Sequence, residues 1–407
     1  MFYDKNGFTP GLEGVVAAQT RLSSVDGQRG ELIIGGYPLE ELAGNATFEQ
    51  SVYLLWHGSL PTQSETIEFQ KKLANFRPLP NATLEILRAA AKEKADAMDV
   101  LRMAVGTLSL DLPSDKTEQA IALLARIPVA VTAYWRLCQG EEPIPPRSDG
   151  NHAANFLFML NGKEPSLPQV RGLETYWNTV IDHGLNASTF TARVIISTGS
   201  DLVSAITGAI GALKGPLHGG APGPALDTVF EIGSPARAEE VLRAKIARGE
   251  RLMGFGHRVY KVYDPRAAVL SAAAREMYKA DGDMDLYNLA EHVERTALRL
   301  LEEYKPGRNL QTNVEFYTAL LLHGLDLPVA LFTPTFAVSR AAGWIAHCFE
   351  QMEVGRIIRP QSEYVGEKDG NGIHSIENEA PLLKIQKGGL LIWLYNPWYL
   401  NNLRSFS

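Results

Sequence analysis

Cysteine is nearly absent: Cys138 and Cys348 are the only two in 407 residues. That excludes a disulfide framework, and neither lies at metal-ligand spacing. No two histidines stand at i, i+4 with a glutamate beside them, so no metal site is expected. A Gly-x-Ser-x-Gly elbow is missing, which removes the usual serine hydrolase. The full spacing of a Rossmann or phosphate-loop turn is missing too, although Gly254-Phe255-Gly256 comes near it. Long runs of one charge are lacking: 39 Lys and Arg stand against 46 Asp and Glu, a net of −7. Such a balance argues against nucleic acid or an anionic membrane as the main partner, while local basic clusters can still bind anions. No apolar run is expected to span a bilayer. The opening Met1-Phe2-Tyr3-Asp4-Lys5 has neither an apolar signal core nor transit-peptide character, so the expected location is cytoplasmic.

What is present is apolar residues, 45% of the chain, enough for a large core and for two or three domains. Strand-like runs are confined to the first forty residues. There Val15-Val16 and Leu32-Ile33-Ile34 flank Ser23-Ser24-Val25-Asp26-Gly27, read as a turn. Beyond them the periodicity is helical. Thr47-Phe48-Glu49-Gln50 has capping-box form, and helices are expected at 62–73, 83–110 and 115–138, the last kinked at Pro128. Residues 173–214 read as two buried helices joined near Gly199-Ser200-Asp201. Further helices are expected at 236–248, 266–279, 286–304, 313–323 and 335–352. The last forty residues end in an apolar stretch, Gly388 to Leu400, broken by Pro397.

Two glycine-rich turns each present one histidine. The first is Gly215-Pro216-Leu217-His218-Gly219-Gly220, the second Gly254-Phe255-Gly256-His257-Arg258-Val259-Tyr260-Lys261, followed by Asp264-Pro265-Arg266. Glycine lets the backbone approach a ligand, and histidine moves a proton most easily near neutral pH. With Arg258, Lys261 and Arg266 close by, the cluster suits an anionic, carbonyl-bearing ligand. Each histidine could also be an ordinary polar loop residue. Glu315 follows Asn313 in the first turn of a helix, where the dipole favours a carboxylate; such glutamates are usually only structural, and a catalytic role is the alternative.

These motifs, with Asn313-Val314-Glu315-Phe316-Tyr317, resemble the citrate synthase family. Leu12 to Ala17, Tyr53-Leu54-Leu55-Trp56, Asp182-His183, Asn186 to Thr189 and Ile358-Arg359-Pro360 extend the match over roughly residues 10 to 366. The resemblance implies a mainly α, two-domain helical fold with a small N-terminal β region. It places the large domain at 1–219 and 328–366 and the small domain at 220–327, leaving 367–407 as a tail. It implies a homodimer with shared active sites that condenses acetyl-CoA, or propionyl-CoA, with oxaloacetate. The acyl-CoA is then a co-substrate, and no cofactor is permanently bound. By the same resemblance Glu315 is the base, His218 binds the enolate oxygen and His257 acts on the ketone. His183, Arg266 and Arg340 hold carboxylates, Arg359 reaches in from the second subunit, and Arg258 and Lys261 contact CoA. A weakly catalytic homologue that binds the same ligands is the alternative. This chain departs from the family pattern at Glu315, where aspartate is usual. It departs again at Ala221-Pro222-Gly223, and at Gly184 and Gln361, where glutamate and arginine are common.

Overall fold

The computed structural model describes residues 8–219, 223–256, 260, 262–281, 283–366, 383–387 and 390–394. They fall into two compact units, Met1–Ile358 and Arg359–Ser407. The first is mainly α-helical, with one small antiparallel sheet near its start, in the order β1 (Ser23–Asp26), β2 (Glu31–Ile34) and β3 (Tyr37–Pro38). The turn lies later than the composition suggests. Asp26 closes β1, pairs with Glu31 and accepts hydrogen bonds through Oδ1 from the amides of Gln28 and Arg29. The serine-rich stretch is therefore strand, while Val15 and Val16 form none and are exposed. Gly30 ends the turn at φ +70, where an added Cβ would lie 2.7 Å from the carbonyl oxygen of Tyr263.

The helices start where the capping chemistry directs. Thr47 and Gln50 form the expected capping box, and Thr62 and Glu65 form a second. The segment 83–110 is not one helix. It divides into Asn81–Lys92 and Ala97–Thr107, because Lys94 turns to φ +51 and Asp96 caps the amides of Met98 and Asp99. Lys116–Cys138 runs unbroken through Pro128. The segment 173–214 holds three helices, Leu167–Val180, Ala187–Ser197 and Leu202–Leu213; the last two join at 198–201, as expected.

The core is organised round Phe332–Val354, whose residues are buried on nearly every side. It packs against Ala187–Ser197, Leu202–Leu213, Phe48–His57, Leu167–Val180 and Lys116–Cys138. Trp344, Ile345 and Val338 are sealed from solvent; burying one such side chain stabilises by about 1.5–3 kcal/mol. Two helices, Lys116–Cys138 and Val329–Val354, do reach the length and apolarity of a membrane span, contrary to the expectation from sequence. Both are mostly buried inside the protein, as central helices of a large core must be.

The second unit contains an antiparallel hairpin, β4 (Leu383–Lys387) with β5 (Leu390–Leu394), in register from Leu383 and Leu394 to Lys387 and Leu390. Strand structure thus recurs beyond residue 40. Its signal is the pair Gly388-Gly389 between two β-compatible runs.

Candidate active site

A cavity of about 440 Å³ opens in the first unit where five segments meet. His183, His218, Arg266, Glu315 and Arg340 all line it, brought together from positions far apart in the chain. His183 stands just beyond the Leu167–Val180 helix, with Nε2 3.1 Å from the Tyr260 hydroxyl.

His218 is held through its Nε2. The backbone amide of Ser188 donates to that nitrogen at 3.3 Å, and the Ser188 hydroxyl lies 2.8 Å from it. Trp344 Nε1 donates in turn to Ser188 Oγ at 3.0 Å. With Nε2 accepting, the neutral ring carries its proton on Nδ1. Burial, helped by the nearby Arg340 charge, lowers the His218 pKa to about 4. At neutral pH the ring is an uncharged donor. Gly219 explains why glycine follows: a Cβ there would lie 2.1 Å from the Leu213 carbonyl oxygen. The Thr333 hydroxyl fixes the same turn by donating to the Gly219 carbonyl at 3.1 Å.

Glu315 occupies the first turn of Val314–Gly324, capped by Asn313, whose Oδ1 accepts from the Glu315 amide at 2.9 Å. Asn313 also donates through Nδ2 to the Gly256 carbonyl at 2.8 Å. The amide of Gly256 donates to the Gln311 carbonyl, and that of Asn313 to the Gly254 carbonyl. The second glycine-rich turn is thus paired along its backbone to the segment bearing Glu315. Gly254 has φ +88, and a Cβ there would press on Phe316 at 3.0 Å. Burial raises the Glu315 pKa, with Arg251 and Arg266 partly opposing it. The carboxylate is therefore a stronger base than one in water.

Two arginines face this carboxylate cavity. Arg266 is buried and locked to Asp264 through Nε at 3.0 Å and Nη2 at 2.9 Å. Asp264 Oδ2 also accepts from the Val314 amide at 3.1 Å, which ties Arg266 to the helix of Glu315. Arg340 donates through Nε to the Val180 carbonyl at 2.7 Å and lies over the Phe336 ring at 4.5 Å. It has no ion-pair partner among the described residues. Burial, with Arg266 adding to it and Asp182 opposing, lowers its pKa to about 10, so it stays cationic at neutral pH. A neutral donor, a basic carboxylate and two buried cations suit proton abstraction beside an anionic ligand.

His257, Arg258 and Lys261 lie outside the described residues. Arg359 belongs to the second unit. Ser188 and Asp264 are supporting residues that motif reading passed over. Both stood in quoted motifs, Asp264 in Asp264-Pro265-Arg266 and Ser188 in Asn186 to Thr189, but the contact of Ser188 with His218, thirty positions away, had no signal. No group of three or more metal-ligating side chains occurs among the described residues.

The family model described as citrate synthase, C-terminal domain, matches residues 11–361. The chain belongs to the citrate synthase family. A citrate synthase of Haloferax volcanii is 42% identical over 370 residues, covering 88% of this chain and 96% of that relative. A 2-methylcitrate synthase of Mycobacterium tuberculosis is 38% identical over 364 residues, covering 88% and 90%. Among solved structures, the citrate synthase of Pyrobaculum aerophilum superimposes with a TM-score of 0.82 at 38% identity, over 91% of this chain and 96% of that one. A citrate synthase from Thermoplasma acidophilum, solved with carboxymethyl coenzyme A and oxaloacetate, gives 0.79 at 30% identity, over 90% and 99%. The chain is thus a mainly α-helical acyltransferase of the citrate synthase type. The match ends at 361, so the hairpin of β4 and β5 lies beyond it.

Proposed function

We propose that this enzyme condenses acetyl-CoA with oxaloacetate and hydrolyses the product to citrate and free CoA. The observation that carries this reading is one cavity uniting the Glu315 carboxylate, neutral His218 and the cations Arg266 and Arg340. A thioester methyl is a very weak acid, so the charge it develops needs donors already in place. Glu315 takes the α-proton and His218 donates a hydrogen bond to the enolate oxygen. The α-carbon then attacks the ketone carbon of oxaloacetate, whose oxygen takes a proton from His257. Water finally cleaves the thioester, giving the carboxylate and the CoA thiol. Arg266 and Arg340, with His183, hold the carboxylates of oxaloacetate, since a planar guanidinium can engage both oxygens.

In this proposal acyl-CoA is a co-substrate that Arg258 and Lys261 contact, and no cofactor stays bound. Residues 220–327 act as a small domain that closes to exclude water until condensation is complete. Two chains form a homodimer, and Arg359 serves the partner's site. The relative in Mycobacterium tuberculosis supports a second acyl donor, propionyl-CoA. One extra methylene is worth only about 1–3 kcal/mol in a pocket, so the preferred donor leads the other by about 10–200-fold at most. Thiol release from each acyl-CoA, with and without oxaloacetate, tests the reading. Release that needs oxaloacetate supports it, and the ratio of kcat/KM values ranks the donors. Folded protein that releases no thiol with either donor is instead a binding homologue.

A further inference from the structure

The C-terminus of Leu167–Val180 is docked on one face of Phe332–Val354 by four contacts in a row. A helix end leaves carbonyl oxygens without intrahelical partners, and here side chains of the second helix supply them. Ser339 Oγ donates to the Trp177 carbonyl at 2.6 Å, and Arg340 Nε donates to that of Val180 at 2.7 Å. Gly343 leaves room for the next carbonyl, because a Cβ there would lie 2.2 Å from the oxygen of Ile181. His347 Nε2 meets Asp182 Oδ1 at 3.1 Å. Positions 339, 340, 343 and 347 share one helical face.

Asp182 is the unusual member. A carboxylate just past a helix C-terminus sits at the negative end of the dipole, and this one is fully buried. Burial would raise its pKa, yet His347, Arg340 and Ser23 together outweigh burial and hold it below the usual range. Ser23 Oγ donates to Asp182 Oδ2 at 2.5 Å and accepts from the Gly184 amide at 2.8 Å. The residue between these two anchors is His183. Behind His347 the chain of bonds continues: Arg193 Nη1 lies 3.0 Å from His347 Nδ1 and donates to Glu350 Oε2 at 2.9 Å.

We propose that Asp182, clamped by His347 and Ser23, is a positioning residue that sets His183 against Arg340 for recognition of the dicarboxylate substrate. The inference rests on the oxaloacetate reading of the cavity. His183 follows Asp182 directly, and Arg340 grips the carbonyl two residues before it, so the clamp fixes both groups on one short segment. Replacing the carboxylate by an amide keeps the shape but removes the charge that faces His347, and it puts an NH2 where Ser23 now donates, so the Ser23 hydroxyl must turn and its bond reverses.

The test compares Asp182→Asn and the milder Ser23→Ala with Glu350→Gln, which alters the far end of the same network. Oxaloacetate binding is measured by calorimetry, and kcat and KM by thiol release. Asp182→Asn is expected to raise Kd and KM for oxaloacetate by about tenfold, the scale set by losing one hydrogen bond to a charged group. Ser23→Ala is expected to raise them by less, in the same direction. For both, KM for acyl-CoA and kcat at saturating oxaloacetate should stay close to wild type, the split expected for lost uniform binding of one substrate. Glu350→Gln should lower the melting temperature and leave oxaloacetate KM unchanged. Should Asp182→Asn not fold, Ser23→Ala against Glu350→Gln decides the matter alone. Unchanged oxaloacetate affinity in folded Asp182→Asn or Ser23→Ala, or an equal loss in Glu350→Gln, overturns the inference. A wild type that binds no oxaloacetate overturns the proposed function instead.

Discussion

Glu315 is the base of the proposed reaction, and its surroundings tune it toward basicity. Burial lifts its pKa above the ordinary 4.5, and Arg251 and Arg266 limit the rise. The base must be ionised to act, so turnover is lost as pH falls through its raised pKa. His218 contributes no such limb above about pH 4, because burial keeps it neutral there. The acid limb of kcat/KM should therefore lie above 4.5, and Glu315→Asp should shift it while retaining activity. A pH–rate profile checks this; a limb at or below the ordinary carboxylate value would assign the base elsewhere. At this scale much was legible. Asn313 announced its cap, and both histidines stood among glycines. Ser188 and the bond from Val314 to Asp264 were not legible, because each joins residues far apart in sequence.

At the scale of elements, helix ends were readable where a capping residue follows a break in the apolar pattern, as at Thr47 and Thr62. They were missed where the break falls in a charged run of residues that helices also carry, as at Lys92 to Asp96. The turn after β1 was misplaced because serine and aspartate serve strand ends as well as turns. Which helix faces touch is set by long-range packing, and Gly343 is the clearest case. Nothing in its own helix distinguishes it, yet the Ile181 carbonyl fills the space a side chain would need. Gly343→Ala should cost about 1–3 kcal/mol by overpacking. Urea unfolding measures that loss as a lower midpoint with an unchanged slope. A midpoint equal to wild type would mean that the two helices are not in contact in solution.

For the whole molecule, the assembly of the cavity from five distant segments was reached through family resemblance, since periodicity does not say which helices meet. The hairpin beyond the family match was hidden because its second strand merges into the apolar stretch from Gly388 to Leu400. The proposed dimer makes a claim on both chains. If Arg359 serves the partner's site, Arg359→Leu and His257→Ala are each nearly inactive alone. In a mixed dimer one site then carries both defects and the other neither. Refolding an equal mixture should restore about a quarter of all sites. Confirmed mixed dimers without recovery would return Arg359 to its own subunit.

In the proposed reaction the cavity is a condensing site with Glu315 as its base. The direct measurement is release of CoA thiol from acetyl-CoA and propionyl-CoA, with and without oxaloacetate, for wild type beside Glu315→Gln. Wild type should release thiol only when oxaloacetate is present. The glutamine variant should bind oxaloacetate normally and turn over about 10²–10⁴-fold more slowly, the contribution of a positioned base. Thiol release without oxaloacetate, or near-normal turnover in Glu315→Gln, would contradict the account.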